Sequence, residues 1–394
     1  MSANAPVFEQ DLWSDNALLE PYPYYEQLRK LGSVVWLAHQ QMWAITRYAE
    51  LKAALLDAEL FSSAHGCSMN EAVNAATADR VMLCTDGTKH RDMRRVFTKP
   101  LVPAAVAPLR ARLVELAEAR IDKLISKGRF EAVTELAHYL PLTVVSELVG
   151  LNEEGKLHML RWAAGMFNAM GPHDSPRTAE GLAIAGEMFD YMKNRAPRSS
   201  LDPNGWGAAL FSAADRGEIP QEDAEAMLID YLGPALDTTI NGTSAAIWLF
   251  AHHPAQWELL RREPSLISQA INETLRLESP IRAFTRYVTR AVKIGDVTLQ
   301  PGARALMLYA CANRDERHYP HAHVFDITRK ANDHLAFGYG AHMCAGLHLA
   351  RLEMSVLLEG LSKRVTKFEV DTERRIPHNT LRGLTELTIS VRAA

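Results

Sequence analysis

Cysteine is scarce in this chain, and apolar runs long enough to anchor it in a membrane are missing. Only four of the 394 residues are cysteines, at positions 67, 84, 311 and 344, and no two have the close spacing of a zinc site or a disulfide framework. Such low usage is typical of the reducing cytosol, so we predict a cytoplasmic protein. The opening residues MSANAPVFEQDLW include acidic groups and no apolar core, which predicts neither a signal peptide nor a membrane anchor.

A strong charge of one sign and a linker-like segment are also missing. The 43 Lys and Arg residues face 47 Asp and Glu residues, for a net charge of −4, which argues against a nucleic-acid-binding protein. No Pro-, Ser- or Gly-rich segment divides the chain, so residues 1–394 are predicted to form one domain. The hydrophobic fraction of 47% indicates a globular protein with a large core.

Helical periodicity dominates what is present. Apolar residues recur at steps of three and four through 104–125, 132–149, 180–192, 221–250 and 266–277. Strand-like alternation is limited to 34–46, to a tight hairpin around Gly295-Asp296, and to 368–391. These patterns predict a mainly α fold with a small β-rich portion.

The most informative stretch is FGYGAHMCAG at 337–346, which sets Cys344 in a glycine-rich loop directly before an amphipathic helix. The positive end of the helix dipole favours a thiolate there, and so do the free amides of the first turn. We expect the amides of Ala345 and Gly346 to donate to the sulfur. The loop is therefore predicted to present a metal-binding thiolate.

The other residues of this loop fit a flat cofactor. Gly338 and Gly340 let the backbone approach it closely, Phe337 shields the sulfur, and His342 points a donor at its edge. The pattern resembles the haem-binding signature of the cytochrome P450 superfamily. The resemblance implies the cytochrome P450 fold, with haem b between a long distal helix and the helix after the cysteine loop. It also implies that Cys344 is the axial thiolate.

A second motif, GPALDTT at 233–239, lies in the longest predicted helix and resembles the oxygen-activation motif of the same family. The resemblance implies that Asp237 and Thr238 are the carboxylate and the hydroxyl that deliver protons to dioxygen. Pro234 lacks a backbone donor, which predicts a kink or opening, and its carbonyl is a predicted partner of the Thr238 hydroxyl. Relatives usually have glycine at the position of Ala235, whose methyl group either crowds oxygen or trims the substrate pocket.

An ion pair is predicted between these two motifs. Glu273 and Arg276 are three apart and share a helix face, where they can hold each other and support the loop of Cys344. They look like the Glu-x-x-Arg pair of the family. Arg329 resembles part of the segment that completes this network, but Val324 stands where many relatives have arginine. Which residue closes the network stays open.

The resemblance also assigns the charges around the cofactor. His90 and Arg94, four apart on one helix face, together with Arg286 and His342, resemble the positions that bind the haem propionates.

A cluster of basic residues beside them could dock an acidic electron carrier. Its members are Lys89, Arg91, Arg95 and Lys99. The chain has no flavin-binding or iron–sulfur pattern. Electrons are therefore expected from a separate ferredoxin-type donor with its reductase.

Three segments, FDITRK at 325–330, HMC at 342–344 and NTLRGL at 379–384, look like a bacterial branch of the family that oxidises para-substituted benzoates and removes O-methyl groups from aryl ethers. This likeness implies a small aromatic substrate. An apolar slot for its ring is expected from four side chains: Phe167, Met170, Ile281 and Phe284.

The polar group of the substrate, at the far end of the ring, is either a phenol hydroxyl or a carboxylate. Members of that branch hold a carboxylate with arginine and serine, whereas this chain has His65 and Ser68 in the corresponding loop and Ile229 and Asp230 on the helix. A buried Asp230 would repel a carboxylate, and a histidine can bond either a phenol or, when protonated, an acid. Both a methoxyphenol and a methoxybenzoate stay open, with a slight preference for the phenol.

These features together predict a haem-thiolate monooxygenase that uses dioxygen and two electrons to hydroxylate or O-demethylate a small aromatic. Two alternatives remain. A peroxide-driven haem-thiolate peroxygenase would not need the intact acid–alcohol pair. A non-catalytic haem-binding sensor or ligand carrier would need the thiolate but not the proton relay.

Overall fold

Helices dominate the computed structural model, which describes residues 5–195 and 198–394. The α-helices are α1 Asp15–Leu19, α2 Tyr22–Leu31, α3 Tyr48–Leu56, α4 Glu71–Thr77, α5 Gly87–Phe97, α6 Pro103–Val106, α7 Arg110–Lys127, α8 Ser146–Val149, α9 Glu153–Ala169, α10 Pro176–Asp190, α11 Trp206–Asp215, α12 Gln221–Leu232, α13 Asp237–His252, α14 Pro254–Arg262, α15 Ile267–Leu277, α16 Tyr309–Ala312 and α17 Leu347–Arg364. Short 3₁₀ and π turns join several of them, including the 3₁₀ turn Met82–Cys84.

The strands form three small sheets in the described residues. They are β1 Val7–Phe8, β2 Val34–Leu37, β3 Met42–Ile45, β4 Phe61–Ser62, β5 Arg129–Glu131, β6 Phe284–Val288, β7 Val292–Ile294, β8 Val297–Leu299, β9 Arg304–Met307, β10 Val365–Arg374 and β11 Glu386–Ala393. The largest sheet has the order β1-β2-β3-β9-β6-β4, with β2 antiparallel to β3 and β3 parallel to β9. The other two are β10-β11-β5 and the hairpin β7-β8. The predicted mainly α fold with a small β-rich portion is confirmed.

The helices pack through the apolar stripes that the sequence spacing predicts. On α7 the buried residues Leu113, Ala117, Ile121 and Leu124 follow one another at steps of three and four, which places them on one face. A Cβ on Gly360 of α17 would stand 2.6 Å from Cδ1 of Ile121. Glycine at 360 therefore allows α7 and α17 to approach closely.

Two helices predicted as continuous are broken at proline. The segment 221–250 divides into α12 and α13, separated by residues 233–236, so the opening predicted at Pro234 is confirmed. Within 132–149 the chain instead forms π turns at Val133–Ala137 and Pro141–Val145 before the short α8. Pro141 removes a backbone donor there, which accounts for the irregular helix.

No helix within residues 5–195 and 198–394 has the combination of length and apolar character needed to span a bilayer.

Candidate active site

A large cavity lies between the broken helix and the cysteine loop, and it brings the two predicted motifs together. Its volume is about 440 Å³. Asp230 and Thr238 line it from the α12–α13 side, and Phe337 and Cys344 line it from the loop before α17. Most of the remaining lining is apolar. Motifs about a hundred residues apart in the sequence thus border one space.

The loop holds Cys344 by its backbone and leaves the sulfur at the cavity. The Cys344 amide donates to the Phe337 carbonyl oxygen at 2.7 Å. Gly338 has a φ of +69°, a backbone conformation that glycine adopts without strain. This turn sends Phe337 and Cys344 toward the same space, so both predicted residues line the cavity.

The amides at the start of α17 favour the thiolate only in part. Donors from the Gly346 and Leu347 amides lower the pKa of the Cys344 thiol, as does the Arg94 charge, but burial outweighs them and the pKa is raised. The prediction that the Ala345 amide donates to the sulfur was wrong. The donors are instead the amides of Gly346 and Leu347. A metal ion bound to the sulfur would displace the proton directly.

The four predicted propionate contacts all border the cavity. His90, Arg94, Arg286 and His342 line it, and the rings of His90 and His342 lie 4.2 Å apart. Asp86 fixes His342, whose Nε2 lies 2.9 Å from the Asp86 carboxylate. Burial lowers the pKa of His90 to about 4, so this side chain is a neutral donor at pH 7.

This donor set fits haem. The Cys344 thiol faces a mostly apolar space, and four hydrogen-bond donors, two of them arginines, lie along the same cavity, where two carboxylates need partners. His90, Arg94, Arg286 and His342 would hold the propionates, and Cys344 would hold the iron.

The oxygen-activation motif has the predicted local geometry. Thr238 lines the cavity, and its hydroxyl donates to the Pro234 carbonyl oxygen at 2.9 Å, as predicted. Asp237 begins α13 directly before it and is 9% exposed. Its Oδ2 has no hydrogen-bond partner among the described residues, and burial raises its pKa to about 7. The methyl group of Ala235 also borders the cavity, so it takes volume from the space next to the motif.

Seven of the predicted substrate contacts border the same cavity: Ser68, Phe167, Met170, Asp230, Ala235, Ile281 and Phe284. His65 does not, and its prediction as a substrate contact is wrong. Gly66, with a φ of +87°, turns the chain, so His65 is exposed and stacks on Tyr287 with 4.0 Å between the rings. A sequence pattern alone does not reveal on which side of such a turn a side chain falls.

The polar groups on the substrate side already have partners. The Ser68 hydroxyl donates to the Met170 carbonyl oxygen at 3.0 Å. Asp230 Oδ2 accepts from the Met82 amide at 3.0 Å, which ties α12 to the 3₁₀ turn Met82–Cys84. Burial raises the pKa of Asp230 to about 7, although the amides of Met82 and Leu83 oppose the shift. Asp230 is therefore a carboxyl that changes charge near neutrality.

The predicted ion pair is fully buried and bidentate. Arg276 Nε and Nη2 donate to the two oxygens of Glu273 at 2.7 and 2.8 Å. Arg329 Nε donates to Glu273 at 3.1 Å, and Val324 contributes only its carbonyl oxygen, 3.4 Å from Arg276. Arg329 therefore closes the network.

This network reaches the cysteine loop through Asn313. Arg276 donates to the Asn313 carbonyl oxygen at 2.9 Å, and the Asn313 side-chain oxygen accepts from the Leu335 amide at 2.7 Å. Leu335 begins the 3₁₀ turn Leu335–Phe337 that leads into the loop. The ion pair is thus connected to the backbone that positions Cys344.

Three further residues of the cavity wall have chemical groups that the sequence did not reveal. Cys67 and Cys84 line the cavity, and their distant positions gave no signal. Glu353 on α17 lines it as well; its Oε1 has no partner in the described chain, and burial raises its pKa to about 8. The helical spacing 346, 349, 350, 353 could have placed Glu353 on this face.

The cations predicted to dock an electron carrier do not form a free basic patch. Three of the four have carboxylate partners: Lys89 with Asp223 at 3.5 Å, Arg95 with Glu218 at 3.7 Å and Lys99 with Glu218 at 2.7 Å. These acids neutralise much of the local charge, because opposite charges at such distances cancel each other's field. The predicted patch is therefore weaker than its sequence indicated.

A mainly helical fold around a cavity bordered by the Cys344 thiol and by the four donors His90, Arg94, Arg286 and His342 is typical of a haem-thiolate protein. The cytochrome P450 family model matches residues 206–390, which include the oxygen-activation motif, the ion pair and the cysteine loop. Cytochrome p450 CYP199A2 of Rhodopseudomonas palustris is 35% identical, and the alignment covers 100% of this chain and 96% of that protein. Cytochrome P450 123 of Mycobacterium tuberculosis is 30% identical over 95% of this chain and 94% of its own length.

A solved structure agrees with these relatives. The crystal structure of P450BioI, in complex with an acyl carrier protein ligated to hexadec-9Z-enoic acid, superposes with a TM-score of 0.86 at 26% identity and covers 96% of this chain and 99% of that chain. The chain belongs to the cytochrome P450 family. It is a cytochrome P450 monooxygenase with a cysteine-ligated haem b.

Proposed function

We propose that this monooxygenase hydroxylates or O-demethylates a small neutral aromatic of the methoxyphenol type. One observation carries the choice of a neutral ring. Among the described residues that line the cavity, the basic side chains are His90, Arg94, Arg286 and His342. All four are assigned to the haem propionates, which leaves no cation for a substrate carboxylate. The resemblance to the benzoate-oxidising branch keeps a methoxybenzoate as the second candidate.

Cys344 would hold the haem iron through its sulfur. When bound, the haem supplies the binding and two-electron activation of dioxygen. The Gly346 and Leu347 amides donate to the sulfur, and Phe337 lines the same cavity as an apolar side chain. These contacts orient the sulfur and limit its contact with water.

Asp237 and Thr238 are proposed to control protons. The hydrogen of the Thr238 hydroxyl is committed to the Pro234 carbonyl oxygen, so the lone pairs of Oγ1 are free to accept a hydrogen bond from water in the cavity. Asp237 has a pKa raised to about 7, and near neutral pH it can therefore both release and recover a proton. Its burial excludes the bulk water that would deliver protons without control.

The substrate ring is proposed to lie in the slot of Phe167, Met170, Ile281 and Phe284, with its phenol hydroxyl toward Asp230. The Asp230 carboxyl, with a pKa raised to about 7, can accept a hydrogen bond from that hydroxyl. When Asp230 is ionised, it repels the carboxylate of a benzoate. Hydroxylation of the methoxy carbon gives a hemiacetal. The hemiacetal releases formaldehyde by itself and leaves a hydroxyl group on the ring, so no further catalytic residue is needed.

Binding spectra test the substrate class. The ferric holoenzyme is titrated with 2-methoxyphenol, 4-methoxyphenol and 4-methoxybenzoate while the Soret band is followed. A spin-state shift with the phenols and a weak one with the benzoate are expected. Asp230→Asn should strengthen benzoate binding, and Asp223→Asn, on the same helix but outside the cavity, should leave all three titrations unchanged. A shift with the benzoate alone in the wild type would exclude the neutral-ring proposal.

A separate ferredoxin-type protein with its reductase is the proposed electron source. The alternatives to a monooxygenase are a peroxide-driven peroxygenase and a non-catalytic haem-binding sensor or carrier. Turnover of the preferred methoxyphenol is compared with a reduced ferredoxin and with hydrogen peroxide. Product with ferredoxin supports the monooxygenase cycle. Product with peroxide alone would favour the peroxygenase, and no product with either would favour the sensor or carrier.

The chain is also proposed to be one cytoplasmic domain. All four cysteines are free thiols, as a reducing compartment favours. The proposal predicts a single unfolding transition of the holoenzyme in calorimetry. Cell fractionation of the source organism tests the location.

A further inference from the structure

Two buried cysteines outside the haem-binding loop share the wall of the cavity. Cys67 is 1% exposed and Cys84 is 3% exposed, and both line the cavity. The two side chains lie close enough for each to shift the pKa of the other. Sγ of Cys67 also lies 3.5 Å from the carbonyl oxygen of Leu83, the residue directly before Cys84. The monooxygenase mechanism uses neither sulfur.

The surroundings distinguish the two sulfurs. The neighbouring Cys84 thiol lowers the pKa of Cys67 to about 6 against the effect of burial. Nη1 of Arg286 lies 3.4 Å from the sulfur. The neighbouring Cys67 side chain in turn raises the pKa of Cys84. Cys67 is thus suited to attack an oxidant, with Cys84 as the second thiol.

Cys311 shows that burial beside an arginine is not sufficient. It is completely buried, and Nη1 of Arg29 lies 3.8 Å from its sulfur. Burial nevertheless raises its pKa to about 12, and it does not border the cavity. Cys67 and Cys84 differ from Cys311 in two ways. Both line the cavity, and each has the other as a neighbouring thiol.

We propose that Cys67 and Cys84 form a dithiol that hydrogen peroxide oxidises to a disulfide, which closes segment 68–83 over the cavity. Hydrogen peroxide is produced at this cavity whenever two electrons and two protons reduce dioxygen without oxidising substrate. The oxidant therefore arises in the cavity that both thiols line, although both are almost completely shielded from bulk solvent.

The chemistry balances in two steps. The Cys67 thiolate attacks one peroxide oxygen, the O–O bond breaks, and the products are a sulfenic acid on Cys67 and hydroxide, which takes up a proton to become water. The Cys84 sulfur then attacks the Cys67 sulfur, the S–S bond forms, and the sulfenic oxygen leaves as water with the Cys84 proton. Two thiols lose two electrons, and one peroxide gains them to give two waters.

The disulfide would join the two ends of a segment that covers the cavity. This segment contains α4, and its lining side chains include Ala72, Val73 and Ala76. One end is already fixed, because the Thr285 amide of β6 donates to the Cys67 carbonyl oxygen at 2.8 Å. A bond across the ends reduces the freedom of the intervening residues to move away from the cavity. Ligand access should then be slower.

Peptide mapping tests the bond itself. The holoenzyme is treated with an equimolar amount of hydrogen peroxide or with dithiothreitol, alkylated with iodoacetamide under denaturing conditions and digested with trypsin. Because Arg80 lies between the cysteines, the disulfide should link peptide 53–80 to peptide 81–89, and dithiothreitol should remove the link. Cys311 should be alkylated equally in both samples. Equal alkylation of Cys67 and Cys84 in both samples, or a link to a different cysteine, would overturn the proposal.

Ligand access is measured with imidazole, which binds ferric haem whatever the natural substrate is. The association rate of the peroxide-treated wild type should fall about threefold below that of its dithiothreitol-treated sample. Cys84→Ser and Cys84→Ala should each give equal rates after both treatments. A disulfide without a slower rate, or an equal slowing in these variants, would overturn the closure. The carbon monoxide spectrum of each sample verifies that Cys344 still ligates iron, so failure here is separate from failure of the monooxygenase assignment.

Discussion

Glu273 and Asp237 are both buried carboxyls on helices next to the haem cavity, and they differ in their partners. Glu273, completely buried, accepts from Arg276, from Arg329 and from the Asp326 amide. Asp237, 9% exposed, has an Oδ2 with no partner in the described chain. A fully bonded carboxylate fixes its surroundings, whereas an unpartnered carboxyl keeps a pKa near neutrality and can exchange protons. The same chemical group thus supports the cysteine loop in one region and is available for chemistry in the other.

The largest effect on stability is expected from removing Arg276, the bidentate partner of the Glu273 carboxylate. Arg276→Ala leaves the buried charge of Glu273 without its bidentate donor, which should cost about 3–5 kcal/mol of unfolding free energy and most of the bound haem. Arg329→Ala, which retains the Arg276 pair, should cost clearly less. Thermal unfolding and the carbon monoxide spectrum measure both variants. Equal losses in the two would contradict the role assigned to Arg276.

Asp237→Asn should leave the structure intact and remove the exchangeable proton. We expect a decrease in product formation of about 10²-fold, with haem content and the carbon monoxide spectrum unchanged. Product formation at the wild-type rate would show that protons reach the site by another route. Loss of haem instead would mean that Asp237 supports the fold, as Glu273 does.

Thr238→Ala should have a smaller effect, because it removes the hydroxyl and not the proton source. Reductant consumption should continue while the product formed per reductant decreases severalfold and hydrogen peroxide release increases. Thr238→Ser retains the hydroxyl and is the matched control. Both quantities are measured in one assay, and unchanged coupling in the alanine variant would remove Thr238 from the proposed proton path.

The smallest predicted effect is on how the unfolding midpoint changes with pH. The folded-state pKa of Asp237 is raised to about 7, so the unfolded chain loses this proton at lower pH than the folded protein does. The contribution of Asp237 to stability is complete below the unfolded pKa of about 4 and is lost as pH rises to about 7. Asp237→Asn should therefore show a weaker decline of the unfolding midpoint between pH 5 and pH 8 than the wild type. Parallel declines would contradict the raised pKa.

Local features of the sequence predicted much of the site. The glycine-rich loop of Cys344 and the opening at Pro234 follow from neighbouring residues, because φ preferences and a missing backbone donor act over a few positions. The hydrogen bond from Thr238 to Pro234 is likewise a relation within one helical turn. These predictions did not depend on how distant segments pack.

Features set by tertiary packing were not predictable in the same way. The turn at Gly66 decides that His65 faces solvent while Ser68 faces the cavity. The contact of Cys67 with Cys84 joins residues seventeen positions apart. The closure of the ion-pair network by Arg329 depends on the path of the chain around Glu273.

The hydrogen bond between Asp230 and the Met82 amide has a mechanical consequence. Asp230 lies on the last turns of α12, close to the gap that Pro234 opens, while Met82 belongs to a turn that forms part of the cavity wall. A ligand that pushes this turn outward also pulls on the helix next to the gap. The width of the gap at residues 233–236 is therefore expected to depend on the size of the molecule in the pocket, and a poorly fitting ligand would shift the proposed proton-delivery residues that follow the gap.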